Sequence, residues 1–145
     1  MRLATLPTGT PDGRLHLVSR DNGRAVPAQA VETLQQALER WADVEASLQA
    51  EYAALNAGPV SGEIAFDPAF ALAPLPRAWQ WLDGSAYDSH GALMAKVFGK
   101  DAKGDSDRPL MYQGVSDRFL APYEDVRLPS AEDGIDFEGE FGIII

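Results

Sequence analysis

The apolar positions of this chain change rhythm along its length. Over residues 1–26 they alternate in short runs, the period of a strand with two unlike faces. Arg2 to Leu6 predicts a first strand, Thr8-Gly9-Thr10-Pro11-Asp12-Gly13 a turn, and Arg14 to Ser19 a second strand with Leu15 and Leu17 on one side. Asp21-Asn22-Gly23 carries a hairpin signal, because Asn-Gly tolerates positive φ at both central turn positions. Arg24-Ala25-Val26 then returns as a third strand. His16 falls on the face opposite Leu15 and Leu17 and is expected to face solvent.

From Ala28 to Ala57 the period lengthens. Val31, Leu34, Leu38, Trp41, Val44, Leu48, Tyr52 and Leu55 recur at three- and four-residue steps, which predicts one long amphipathic helix over 28–57. Glu32, Gln35, Gln36, Glu39, Arg40 and Asp43 populate its other face, and Gly58-Pro59 stops it. A tryptophan at helical spacing is a core residue, and Trp41 is read as one. Periodicity then disappears. Pro59, Pro68, Pro74 and Pro76 exclude a helix and a central strand. With Phe66 and Phe70 as anchors, this segment reads as a linker or extended arm, with a domain boundary near Pro74.

Beyond the boundary the signals shorten. Leu75 to Leu82 reads as extended and Asp83-Gly84-Ser85 as a turn. Asp88 or Ser89 can cap a short helix that runs through His90, Leu93, Met94 and Val97 to Gly99. Lys100 to Arg108 is polar and reads as a surface loop. Leu110-Met111-Tyr112 is a short apolar piece running into a turn at Gln113-Gly114, and Phe119 to Pro122 and Val126 to Pro129 are short strands or turns. Alternation comes back from Ile135 to Phe141, where Asp136, Glu138 and Glu140 would share one face of a strand. Three carboxylates on one face repel each other, so that face is either wet or neutralised by a cation. Oxygen-only ligands favour magnesium, calcium or manganese. Ile143-Ile144-Ile145 reads as a strand buried on both faces. A chain seldom stops inside such a strand, so this one is expected to be the front part of a longer protein or a truncated product.

Composition narrows the function classes. The 145 residues are 46% hydrophobic and 23% charged, enough for one ordinary domain or one and a half small ones. A formal net charge of −10 argues against a nucleic-acid surface, which needs a basic footprint, and against anionic membranes. The chain has no cysteine, which excludes disulfides, zinc-thiolate sites and a cysteine nucleophile and suits a cytoplasmic protein. No signal peptide and no apolar run of membrane-spanning length is visible.

Four pieces, taken in order, carry a resemblance: Pro74-Leu75-Pro76-Arg77; Asp83 followed by His90; Pro109-Leu110-Met111-Tyr112-Gln113-Gly114; and Ile135-Asp136-Phe137-Glu138-Gly139-Glu140. In this combination the chain resembles the fumarylacetoacetate hydrolase family over nearly its whole length. The resemblance implies an α+β fold, with a small N-terminal β-meander and long helix over 1–74. The first part of a mixed β-roll or barrel-like catalytic domain would follow over 75–145. It implies a divalent cation, magnesium, calcium or manganese, with Asp83, Glu138 and Glu140 as metal ligands and Asp136 outside the ligand set. It implies His90 as the catalytic residue that activates water and Tyr112 near the substrate. Ser85 stands where some members carry a substrate-contacting tyrosine. The implied reaction cleaves a carbon–carbon bond in a 1,3-diketo acid, with the cation stabilising the enolate left behind. Decarboxylation or keto–enol isomerisation could use the same cation. A homodimer is the implied assembly. Family members supply a further aspartate ligand downstream of the Glu-x-Glu strand, and this sequence ends five residues after Glu140. That leaves a second expectation open, a non-catalytic fragment or binding module.

Overall fold

The structure, a computed structural model, describes residues 1–99, 110–134 and 137–145, apart from the side chains of Phe98 and Leu110. The expected surface loop at 100–108 and the first two residues of the expected acidic strand, Ile135 and Asp136, lie outside the described residues.

The meander forms as the alternation predicts. β1 (Leu3–Leu6), β2 (Arg14–Val18), β3 (Arg24–Pro27) and a two-residue β4 (Ile64–Ala65) make an antiparallel sheet in that order. Register pairs Leu3 with Leu17 and Leu6 with Arg14 across β1 and β2, then Leu17 with Val26 across β2 and β3. Asn22 takes φ 58° at the tip of the second hairpin, and its amide donates to the Ser19 carbonyl at 3.0 Å. Gly23 is not in the left-handed region, so only one of the two central positions needed that freedom. Of the expected linker or extended arm, the stretch at 72–74 packs as an arm. The Leu72 amide donates to the Thr5 carbonyl (2.9 Å) and the Thr5 hydroxyl to the Pro74 carbonyl (2.6 Å), laying residues 72–74 along β1.

The single helix over 28–57 is corrected to two, α1 (Leu34–Glu39) and α2 (Trp41–Ala57). Residues 28–32 are claimed by the sheet. The Ala28 amide donates to the Leu15 carbonyl at 2.9 Å, and the Leu15 amide donates to the Glu32 carbonyl at 2.8 Å. The helix therefore starts only after Thr33, whose hydroxyl accepts from the Gln36 amide at 3.2 Å as an N-cap. At Arg40 the backbone leaves helical geometry (φ −129°, ψ 28°) and the axis restarts at Trp41. Arg24 finishes α2 from the sheet side. Its guanidinium donates to the Leu55 carbonyl (2.6 Å) and the Gly58 carbonyl (3.1 Å) and pairs with Glu63 (2.7 Å), filling acceptors that a helix end leaves open. The stripe that predicted the helix does make the core. Leu34, Val44, Leu48 and Leu55 pack with Leu15, Leu17, Val26 and Val31, and Trp41 and Tyr52 lean on them from the edge.

His16 is not on a wet face. It is 6% exposed, and its neighbours Leu15 and Leu17 are 0% exposed. Alternation shows that two faces differ, but not that one meets water. β2 lies between β1 and β3 and is covered on both sides. The ring Nδ1 donates to the Arg14 carbonyl at 3.0 Å. Burial pushes the His16 pKa below its ordinary value of 6.5, outweighing the Arg14 carbonyl, which raises it.

The second part of the chain carries β5 (Trp81–Ser85), α3 (Asp88–Phe98) and β6 (Leu110–Gly114), with β5 and β6 antiparallel. The fold class is α+β, and among the described residues the second sheet has two strands. The pieces at 119–122 and 126–129 form no strand. The expected acidic strand and the buried Ile143–Ile145 strand are also not formed in residues 137–145. Ile143 is 85% exposed and Ile145 fully exposed. Alternation and β-branching supply side chains for a strand, but a strand exists only where a neighbouring backbone takes its N–H and C=O groups.

Because the folded state holds His16 neutral, the unfolded chain binds the extra proton between the lowered pKa and 6.5. Stability is expected to fall as pH drops through that window, and the His16 contribution levels off on either side of it. The urea midpoint should fall more steeply from pH 7.5 to 5.5 in the parent than in His16→Gln. Equal slopes would remove His16 as the cause.

Candidate functional site

Residues 81–85 and 110–114 decide where the candidate side chains stand. The turns expected at Asp83-Gly84-Ser85 and Gln113-Gly114 are corrected to strands. Glycines inside paired strands mark close approach as well as turning, and Gly114 is such a case. Trp81 pairs with Gly114 and Asp83 with Tyr112. Directly opposed residues of an antiparallel pair share a face, and so do residues two apart. Trp81, Asp83, Ser85 and Tyr112 therefore stand on one face of the β5–β6 pair, a wide hairpin whose connection includes α3. The Trp81 ring meets Tyr112 edge-on, with centroids 5.8 Å apart and planes at 85°, and Phe119 at 6.3 Å and 63°. Both arrangements match the ring quadrupoles. A Cβ on Gly114 would fall 1.9 Å from Trp81 Cε3, so the absent side chain is what lets the indole lie across the hairpin.

α3 follows β5 directly. It ends as predicted, with Gly99 at φ 62° in the left-handed C-cap conformation. Its N-cap is Tyr87, with no side-chain cap, and Asp88 lies in the first turn instead. His90 is the third residue of this helix and is exposed. Asp83 is half-buried, while Ser85 and Tyr112 are exposed.

Glu138 and Glu140 are exposed in the segment after a short 3-10 turn, Ala131–Asp133. That turn is closed by a capping box, in which the Ser130 hydroxyl accepts from the Glu132 amide (3.1 Å) and the Asp133 carboxylate from the Ser130 amide (3.1 Å). Among the described residues, no three His, Asp or Glu side chains lie close enough to hold one metal ion. The structure thus brings Asp83, Ser85 and Tyr112 together, sets His90 on the adjoining helix, and does not gather Glu138 and Glu140 beside Asp83. The donor chemistry of Asp83, Glu138 and Glu140, all carboxylate oxygen, fits a hard cation. Their placement here does not yet form a coordination sphere. Reading the sequence missed the contact of Trp81 with Gly114. Both residues were visible, but only the pairing register places one over the other.

Gly114→Ala is expected to displace the Trp81 ring and to weaken the near-ultraviolet circular dichroism of the aromatic cluster, at a cost of roughly 1–3 kcal/mol to the hairpin. Gly139→Ala, where an added Cβ meets nothing within 4 Å, should leave that signal unchanged. A parent-like signal in Gly114→Ala would show that the close approach of the indole to Gly114 is not what orders the aromatic cluster.

Among the described residues no helix is long and apolar enough to cross a membrane. Comparison with curated proteins finds no match. The family model described as fumarylacetoacetase N-terminal domain 2 matches residues 1–77 of the 145. That span holds β1 to β4, both N-terminal helices and the arm as far as Arg77, and it stops before β5 and every candidate site residue. Through this N-terminal half, the chain belongs to the fumarylacetoacetate hydrolase family.

Proposed function

We propose that this chain serves a metal-dependent hydrolase that cleaves a carbon–carbon bond in a diketo acid, fumarylacetoacetate or an acylpyruvate-like acid. Family membership of the N-terminal half supports the hydrolase kind. The observation that carries the reading is the pairing of Asp83 with Tyr112 across β5 and β6, with Ser85 two residues along the same face. In this reading Asp83, Glu138 and Glu140 would hold a divalent cation, magnesium, calcium or manganese. Such a cation would supply Lewis-acid stabilisation to the negative charge that develops on the substrate. His90 takes a proton from water as the oxygen adds to the distal carbonyl carbon. The carbon–carbon bond then breaks to release a carboxylic acid, and its electron pair leaves with the fragment that keeps the other keto group, as an enolate that takes up the proton held by His90. The Tyr112 and Ser85 hydroxyls orient the acid by hydrogen bonding to its carboxylate or keto oxygens. A decarboxylase or isomerase of a keto acid would use the same groups. The assembly proposed is a cytoplasmic homodimer, with a small acid as partner and neither nucleic acid nor membrane.

A second reading, a non-catalytic binding module, draws support from the absence of a gathered three-ligand group among the described residues. Manganese titration of the 145-residue chain and of Glu138→Gln, with turnover of an acylpyruvate in the parent and His90→Ala, separates the two. Saturable binding weakened roughly tenfold or more by Glu138→Gln, with turnover lowered about 10²–10⁴-fold by His90→Ala, is the expected result for the hydrolase. Binding without turnover supports the module. Neither binding nor turnover would end the metal-dependent reading for this chain.

A further inference from the structure

Residues 72–79 belong to both parts of the molecule. Their first half lies on the N-terminal sheet, through the Leu72 amide to the Thr5 carbonyl and the Thr5 hydroxyl to the Pro74 carbonyl. Their second half lies on the segment that leaves the hairpin. The Ala78 amide donates to the Ser116 carbonyl, and the Phe119 amide donates to the Pro76 carbonyl, both at 2.8 Å. From this strap two side chains reach back to the N-terminal module. Arg77 grips Asp12 with both arms of its fork, Nε to Oδ1 at 2.6 Å and Nη2 to Oδ2 at 2.8 Å. The Trp79 indole N–H donates to Glu39 Oε1 at 3.1 Å, and Gln35 Nε2 donates to the same oxygen at 2.8 Å.

Both anchors are set from below. Asp12 precedes Gly13, which takes φ +58°, and a Cβ on Gly13 would meet the Leu6 carbonyl oxygen at 2.6 Å and Leu72 Cδ1 at 3.0 Å. The tight β1–β2 turn thus holds Asp12 at the edge facing the strap. Glu39 closes α1. The Arg77 guanidinium keeps the Asp12 carboxyl below its ordinary pKa. Beside the strap lies an open recess of about 470 Å³, lined among others by Pro7, Pro11, Leu72, Pro76 and Phe119. Where packing is loose, directional contacts decide orientation. A single exposed ion pair does this poorly. A bidentate arginine with a second contact two residues on does it better, because each bond restricts the geometry in which the other forms.

We propose that Arg77 and Trp79 form a two-point clamp on Asp12 and Glu39, by which the N-terminal module sets the direction of the hairpin that carries Asp83, Ser85 and Tyr112. These are positioning residues. The inference deepens the proposed function only by naming what holds that face in place. Its test uses neither metal nor substrate, so its failure and the failure of that reading are separate results.

The chain has no cysteine, so spin labels can be placed cleanly at Glu45→Cys on α2 and Gln113→Cys on β6. The distance distribution between them is expected to be narrow in the parent. It should be at least twice as wide in Asp12→Asn/Trp79→Phe, while the far-ultraviolet circular dichroism stays that of the parent. Salt at 1 M, which screens exposed charges beyond a few ångströms, should widen the parent and leave Asp12→Asn unchanged. Trp79→Phe alone, remote from the core, keeps the test readable if Asp12→Asn disturbs the turn. A parent and double variant with the same width, at low and high salt, would overturn the clamp.

Discussion

Leu15 holds the N-terminal module together by backbone and side chain at once. Its side chain is fully buried under α2 in the cluster with Leu48 and Leu55, worth about 1.5–3 kcal/mol by transfer alone. Its amide and carbonyl are spent on Glu32 and Ala28. Those two bonds pull residues 28–32 alongside β2 and postpone the helix to Leu34. The break at Arg40 then lets α2 run on from a new start, with Val44, Leu48 and Leu55 on the buried side. One central strand residue therefore accounts for the position of the long helix and for the difference between the periodicity and the observed elements.

The parts of the sequence that were legible are those where one local signal decides. Asn22 at the hairpin tip, the strand alternation from Arg14 to Val18 and the glycine stop at Gly99 each work within a few residues. The parts that misled are those where a partner distant in sequence decides. Val31 sits at helical spacing, yet its segment is claimed by Leu15. His16 reads as the wet side of a strand, yet β2 is central. Gly84 and Gly114 look like turn residues, yet they lie in paired strands. Of the candidate site, the grouping of Asp83, Ser85 and Tyr112 follows from register, which no single run of residues encodes. The alternation from Ile135 to Phe141 gives side chains for a strand without the ladder that would make one.

The two halves of the chain differ in what supports them. The module matched by the family model contains the buried cluster, and its polar groups are well used. Among the described residues no buried side-chain nitrogen or oxygen lacks a partner. The hairpin has Trp81 at 42% exposure and Tyr112 at 60%, and a two-stranded sheet is marginal alone. Its order comes from the edge-on contacts of Trp81 and from the strap at 72–79, which ties it to the stable half.

That division bears on how a cation site could form at all. In the described structure the candidate ligands Asp83, Glu138 and Glu140 are not gathered into one group. Gathering them without a cation would place like charges a few ångströms apart, at about 1 kcal/mol per pair even in water and more as water leaves. Phe141, Ile143 and Ile145 are exposed and supply no compensating core. Closing the acidic segment onto the hairpin face and binding the ion would therefore be one event, with ion affinity reduced by the ordering it must drive. Asp83 stands opposite Tyr112 on a face that Trp81 shares, its ring edge-on to Tyr112, so if a cation binds there the ordering it must drive would fall on the Glu138–Glu140 side.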